Sequence, residues 1–143
     1  MAVVAVDANI LIAARLARDQ NHDRGEAIAT AIDQGQLPTG IVLSDVLEEV
    51  SNYLQARAGH AVAVETLDGL IESSGFELTQ TSKGDFEAGR SLFRRYESLS
   101  LTDAIIVAAM QRAEIEYLYS FDDGFDSVSE ITRLTTPEHP FAE

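Results

Sequence analysis

The chain opens on a short unbroken apolar run, Ala2-Val3-Val4-Ala5-Val6, that ends at the first charge, Asp7. A valine-rich run of this length predicts a strand buried on both faces. After Asp7-Ala8-Asn9 the period changes, and Ile10, Leu11, Ile12 and Leu16 begin a helical repeat. Residues 21–34 predict a second helix, apolar at Ala27, Ile28, Ala31 and Ile32 and closed by Gly35. Beyond Pro38, Ile41-Val42-Leu43 reads as a strand. Ser44 is the expected N-cap of a helix carrying Val46, Leu47, Val50, Tyr53 and Leu54 at three- and four-residue spacing. Gly59-His60 interrupts it. Residues 61–74 repeat the amphipathic pattern through Val64, Leu67, Leu70 and Ile71, and residues 76–79 alternate as a half-buried strand does.

The second half follows the same rhythm. Ser82 opens a helix marked by Phe86, Ala88, Leu92, Phe93 and Tyr96. Residues 98–101 connect it to a segment from Thr102 to Met110 that is apolar almost all round, so this helix is expected to be buried on more than one side. Residues 116–120 predict a strand and residues 132–134 a last short one, ahead of a Pro-containing tail over 135–143. No internal repeat is present. Strands alternating with helices predict an α/β fold: a mainly parallel sheet of four to five strands covered on both faces. The 143 residues are expected to form a single domain, with its core over about 3–134.

Composition narrows the chemistry. Without cysteine there is no disulfide framework and no thiolate nucleophile, and three histidines scattered singly (His22, His60, His139) do not suggest a histidine metal site. No apolar run approaches a membrane span. The start lacks the basic region of a signal peptide, so a soluble, cytoplasmic protein is expected. Asp and Glu number 24 against 10 Lys and Arg, a net charge of −14, and only Lys83 is a lysine. Such a surface ordinarily opposes a polyanionic partner. It also matches proteins adapted to high salt, where screening relieves self-repulsion.

The acids fall at informative places. In parallel α/β sheets ligands gather beyond the carboxyl ends of the strands. Asp7 closes the first strand, Asp122 follows the strand ending at Ser120, and Asp103 lies in the first turn of the buried helix. The helix from Ser44 adds Asp45, Glu48 and Glu49. Carboxylates converging without His or Cys make a hard, oxygen-only donor set suited to Mg²⁺ or Mn²⁺. Each acid also has a local reading. Ser100-Leu101-Thr102-Asp103 fits a helix start, Asp7-Ala8-Asn9 an Asx-type turn, Glu48-Glu49 a solvated face, and Asp122-Asp123-Gly124 a turn.

Four segments in order resemble the PIN-domain ribonucleases, and in particular the VapC-like toxins. They are Val4-Ala5-Val6-Asp7-Ala8-Asn9-Ile10-Leu11; Ser44-Asp45-Val46-Leu47-Glu48-Glu49-Val50; Leu99-Ser100-Leu101-Thr102-Asp103-Ala104; and Ser120-Phe121-Asp122-Asp123-Gly124-Phe125-Asp126. The resemblance implies a three-layer α/β/α sandwich and an acidic quartet of Asp7, Glu49, Asp103 and Asp122 holding Mg²⁺ or Mn²⁺. Glu48 and Asp45 are the alternatives to Glu49. Asn9 and Ser120 match supporting polar positions, and Asp126 matches a recurrent acid beside them. RNA as substrate, a cognate antitoxin and a homodimer are implied as partners, with the helices from Ser44 and Ala61 as candidate dimer contacts.

One departure from the family is the sparse basic surface. Arg15, Arg18, Arg24, Arg57, Arg90, Arg94, Arg95 and Arg112 remain for phosphates. Arg94-Arg95 is the densest pair; about 100° apart on a helix, one is expected to face solvent or RNA and the other to cover the core. The resemblance therefore implies an endoribonuclease toxin, with an RNA-processing nuclease or a non-catalytic RNA- or protein-binding scaffold as alternatives. Phosphoryl transfer through Asp7 is disfavoured because Asn9 stands where a second aspartate is needed and Lys83 is remote from the strand ends.

Overall fold

A computed structural model describes residues 2–142. Strands β1 (Val3–Val6), β2 (Thr39–Leu43), β3 (Phe76–Thr79), β4 (Tyr117–Tyr119) and β5 (Thr132–Leu134) form a sheet in the order β3-β2-β1-β4-β5. Every neighbouring pair is parallel. β1 is central, and its apolar run is buried as expected: Val4 is 0% and Val6 1% exposed.

The connections set the layers. Helices α1 (Ala8–Arg15) and α2 (His22–Asp33) join β1 to β2, and α3 (Ser44–Ala58) and α4 (His60–Glu72) join β2 to β3. Helices α5 (Lys83–Arg95) and α6 (Leu101–Ala113) then carry the chain back past β1 to β4. Right-handed crossovers in opposite directions place α1–α4 on one face and α5–α6 on the other. The packing agrees, since α1 lies against α2 and α3, α3 against α4, and α5 against α6. The result is a three-layer α/β/α sandwich whose strand order reverses between β1 and β4.

Helix α6 anchors the second layer. Ala104 through Met110 are all buried, which fits its nearly continuous apolar sequence. Burial of Ile105, Ile106, Val107 and Met110 contributes roughly 1.5–3 kcal/mol each. Gly89 lets α5 come close, because a Cβ there would lie 2.6 Å from Ile105 Cγ1. Asp85, in the first turn of α5, is 3% exposed and takes two hydrogen bonds from Arg112 near the end of α6, at 2.8 and 2.9 Å. Gly59, at φ +100°, makes the tight junction of α3 and α4.

Several local expectations change. Ser44 does not cap α3 with its side chain. Its Oγ accepts from the Thr81 amide at 3.0 Å, tying the end of β2 to the segment after β3. Ser82 and Ser100 do cap α5 and α6, accepting from the amides of Asp85 and Asp103. Arg94 and Arg95 are both exposed, so neither covers the core; Arg95 instead lies over the Tyr96 ring. Arg112 is committed to Asp85 rather than left for phosphates. The segment after Leu134 is pinned by Tyr119, whose hydroxyl donates to the Glu138 carbonyl at 2.6 Å, and by Phe141, edge-on to Tyr117. Among the described residues no helix is long and apolar enough to cross a membrane.

Candidate active site

The reversal of strand order between β1 and β4 opens a crevice at the carboxyl ends of those strands. Asp7 leaves β1 directly into it and caps α1, accepting from the Ala8 amide at 2.8 Å. Its other oxygen accepts from Ser120 Oγ at 2.8 Å and from Asn9 Nδ2 at 3.3 Å. Ser120, fully buried at the end of β4, also accepts from the Asp122 amide at 3.0 Å. Asn9 closes the loop by accepting from the Phe121 amide at 3.1 Å. The Asp7 cap and the side chains of Asn9 and Ser120 are thus one network, linking the first turn of α1 to the end of β4.

Asp7 is 5% exposed and has only neutral donors around it. Burial pushes its carboxyl up to about 6 against the hydrogen bonds of Ser120 and Ala8, with Glu49 and Asp122 adding repulsion. Asp103 combines both of its readings. Its amide is capped by Ser100, yet its carboxyl faces the same acids, and burial followed by the charge of Asp7 pushes it up to about 7. Asp122 contributes to that shift as well. Asp122 also caps the 3-10 turn Asp123–Ser127, accepting from the Gly124 amide at 2.9 Å.

Of the three acids on α3, Glu49 is the one electrostatically joined to this group. Its carboxyl is raised by burial and by Asp103, and its charge in turn raises Asp7. Asp7, Glu49, Asp103 and Asp122 therefore share one field. Among the described residues, however, no three His, Asp or Glu side chains are gathered tightly enough to form a ready-made metal cage. The oxygen-only donor set and its net negative charge, offset only at Asp122 by Arg133, fit a hard divalent cation, with each acid able to contribute an oxygen.

Asp126 stands apart from the four. Arg133 holds it through two 3.0 Å hydrogen bonds, which keep its carboxyl below the usual range. The same arginine donates to the Ser120 carbonyl at 3.2 Å, so the pair braces the end of β4 from behind. Sequence reasoning passed over Arg133; its signal was a single charge inside the otherwise strand-like Thr132-Arg133-Leu134. Ser98 supports the turn after Asp122 by donating to the Gly124 carbonyl at 2.8 Å. At the rim, Arg24 on α2 lies over the Phe121 ring, 5.0 Å from its centroid. Arg95, by contrast, borders a shallow depression shared with Glu114, Glu116 and Glu130.

Comparison with known proteins agrees with this geometry. The sequence profile of the PIN domain matches residues 4–131. Ribonuclease VapC13 of Mycobacterium tuberculosis and VapC ribonuclease Mb1869c of Mycobacterium bovis are each 33% identical over 94 residues, covering 64% of this chain and 69% of theirs. The crystal structure of VapC20 of Mycobacterium tuberculosis, a Sarcin-Ricin loop cleaving toxin, superposes with a TM-score of 0.76 at 21% identity, over 97% of this chain and all of that one. VapBC2 of Rickettsia felis, bound to a promoter DNA fragment, gives 0.68 at 15% identity, over 93% of this chain and 98% of that one. A toxin–antitoxin complex from Klebsiella pneumoniae gives 0.63 at 21% identity, over 95% and 98%. The strand-end acids, the three-layer sheet and these matches lead to one assignment: the chain belongs to the PIN-domain family, on its VapC-like branch.

Proposed function

We propose that this chain is a divalent-metal-dependent endoribonuclease and the toxin of a VapBC toxin–antitoxin pair. The observation that carries the reading is the meeting of four carboxylates from the ends of β1 and β4 and from α3 and α6 in one field, where Asp7 has only neutral donors and the charge of Arg133 reaches Asp122 alone. Asp7, Glu49 and Asp103 would hold the principal ion, and Asp122 would complete its shell or help hold a second. When bound, Mg²⁺ or Mn²⁺ supplies Lewis-acid stabilisation to a phosphodiester attacked by water. The chain's own residues set up that site. Ser120 and Asn9 orient the Asp7 carboxylate, Ser100 fixes the start of α6 beneath Asp103, and Arg133 with Asp126 steadies the strand end that carries Ser120.

The partners follow from the same reading. A cognate antitoxin would place a basic or amphipathic segment across the acidic crevice. Val64 and Ile71 on α4 are exposed apolar groups suited to a homodimer contact. Arg94 and Arg95, both exposed at the end of α5, are available for RNA. The lysine-poor, acidic composition supports a cytoplasm of high salt, as in a halophilic archaeon, where activity would persist in salt and decline in dilute buffer.

Purified protein, end-labelled RNA and Mn²⁺ test the central reading. Wild type should cut internally, and chelation should stop it. If Asp7→Asn or Asp103→Asn cuts as well as wild type, the site is misassigned. A neighbouring reading frame encoding a small DNA-binding protein would separate a toxin from a processing nuclease.

A further inference from the structure

The cationic side chains of this chain are unevenly placed. Of nine arginines, Arg112 and Arg133 are engaged by Asp85 and Asp126. Three others, Arg15, Arg18 and Arg57, line one open cleft of ≈ 390 Å³ between the end of α1 and the second half of α3, together with Leu16 and Tyr53. Its one acid, Asp19, already accepts from the Asn21 amide at 2.8 Å. Arg57 lies over the Tyr53 ring, 4.9 Å from the centroid, and Tyr53 remains 39% exposed. Arg15 meets Glu65 at 3.2 Å, but Glu65 is 71% exposed, and so wet a pair is too weak to hold the guanidinium against a competing phosphate. In a chain of net charge −14, this is a local reversal of sign.

The cleft and the acidic centre are built on the same two helices, α1 and α3. Tyr53 follows Glu49 by four residues and shares its side of α3, and Arg57 lies one turn further. Along the helix axis these are displacements of about 6 and 12 Å from Glu49. Arg15 closes α1, the helix that Asp7 caps at its other end. A strand whose phosphate sits at the acids must leave across neighbouring surface, most of which repels it. At the end of α1 and the last turns of α3 it would meet the three arginines.

We infer that this cleft seats the single-stranded RNA flanking the phosphate to be cut, with Arg15, Arg18 and Arg57 on backbone phosphates and Tyr53 stacked on a base. The inference rests on the nuclease reading. Guanidinium groups match phosphate oxygens in pairs. A half-exposed aromatic ring accepts any base face, which is how strands are held without sequence preference.

The test uses the full chain in an Asp103→Asn background, so that RNA is bound and not consumed. Fluorescence anisotropy would follow a labelled single-stranded RNA across a salt series. The paired change Arg18→Ala with Arg57→Ala should weaken binding about tenfold or more, and the slope of log affinity against log salt should fall by about 0.7 for every phosphate left without its arginine. Tyr53→Ala should weaken binding about tenfold, while Tyr53→Phe should bind like the parent. Arg90→Ala, on exposed α5, serves as the charge control, and unchanged unfolding midpoints show that the variants are folded. If the cleft variants bind like Arg90→Ala with the slope unaltered, the inference is overturned. It is also overturned if they keep RNA but lose a poly-glutamate peptide, which would reassign the cleft to an acidic protein partner. In the cleavage-competent protein, cutting that is indifferent to the cleft arginines removes the cleft alone. RNA bound through the cleft but never cut removes the nuclease reading and leaves the cleft standing.

Discussion

Asp7 and Asp85 are nearly equally shielded from solvent, at 5% and 3% exposure, yet their carboxyls shift in opposite directions. Asp85 receives a guanidinium in bidentate geometry, and its carboxyl falls below the ordinary range. Asp7 receives a hydroxyl and two amide groups, faces other acids, and rises to about 6. The fold can supply a counter-charge to a buried aspartate and does so where α5 must be held to α6. At the end of β1 it withholds one. A buried charge left uncompensated is costly unless something from outside meets it. The difference separates an aspartate that holds the structure together from one that, in the proposed function, would meet a cation.

The largest expected effect lies on the acidic side. Asp7→Asn or Asp103→Asn should reduce RNA cleavage about a thousandfold or more, roughly 4 kcal/mol of barrier, with the protein still folded. Initial rates on end-labelled RNA in Mn²⁺ measure this directly. Equal activity would mean that Asp7 is no more functional than Asp85.

Next comes the paired side. Arg112→Ala should cost about 2–3 kcal/mol in denaturant unfolding, because it strands Asp85 without a partner. The figure is below that of a fully buried pair because the Arg112 side chain is 57% exposed. The lowered carboxyl adds a pH signature. The stability it supplies is present above the unfolded-state value near 4 and is lost as pH falls through the folded one, so Arg112→Ala should flatten the acid limb.

The third effect has the opposite sign. Asp7 and Asp103 keep protons in the folded state that the unfolded chain has already released, so without divalent ions stability should decline as pH rises from about 4 to about 7. Asp103→Asn should then stabilise the protein in chelator at pH 7.5 by about 1–2 kcal/mol and leave it unchanged at pH 4. A flat profile between those values would contradict the uncompensated charge. The smallest effect belongs to the brace behind the site. Arg133→Met should lower cleavage about five- to tenfold while changing stability by about 1 kcal/mol or less, since Arg133 touches Ser120 only through its carbonyl.

What was legible in the sequence was local. The apolar run of β1, the all-round apolar α6 and the Ser82 and Ser100 caps depend on neighbours within a turn or two, and the chain places them as expected. The convergence of Asp7, Asp103 and Asp122 was legible for a related reason: strand ends and helix starts are local features, and parallel topology brings them to one edge. What escaped depends on partners far along the chain. Ser44 has a cap's identity, but Thr81, 37 residues on, takes its hydroxyl. Arg112 looked free because Asp85, 27 residues earlier, carries no mark of the pairing. The cleft of Arg15, Arg18 and Arg57 exists only once α1 lies beside α3, so the adjacent Arg94 and Arg95 stood out instead.

If the carboxylates around Asp7 await a divalent cation, binding must show it. The decisive experiment is isothermal titration of Mn²⁺ into the chelator-stripped protein at pH 6, in two buffers of different ionisation enthalpy. Saturable binding accompanied by proton release is expected, because Asp7 and Asp103 are still partly protonated there and must ionise to ligate. Both heat and proton release should vanish in Asp103→Asn and persist in Arg112→Ala. Absence of binding in wild type, or binding that releases none of those protons, would contradict a cation site at Asp7.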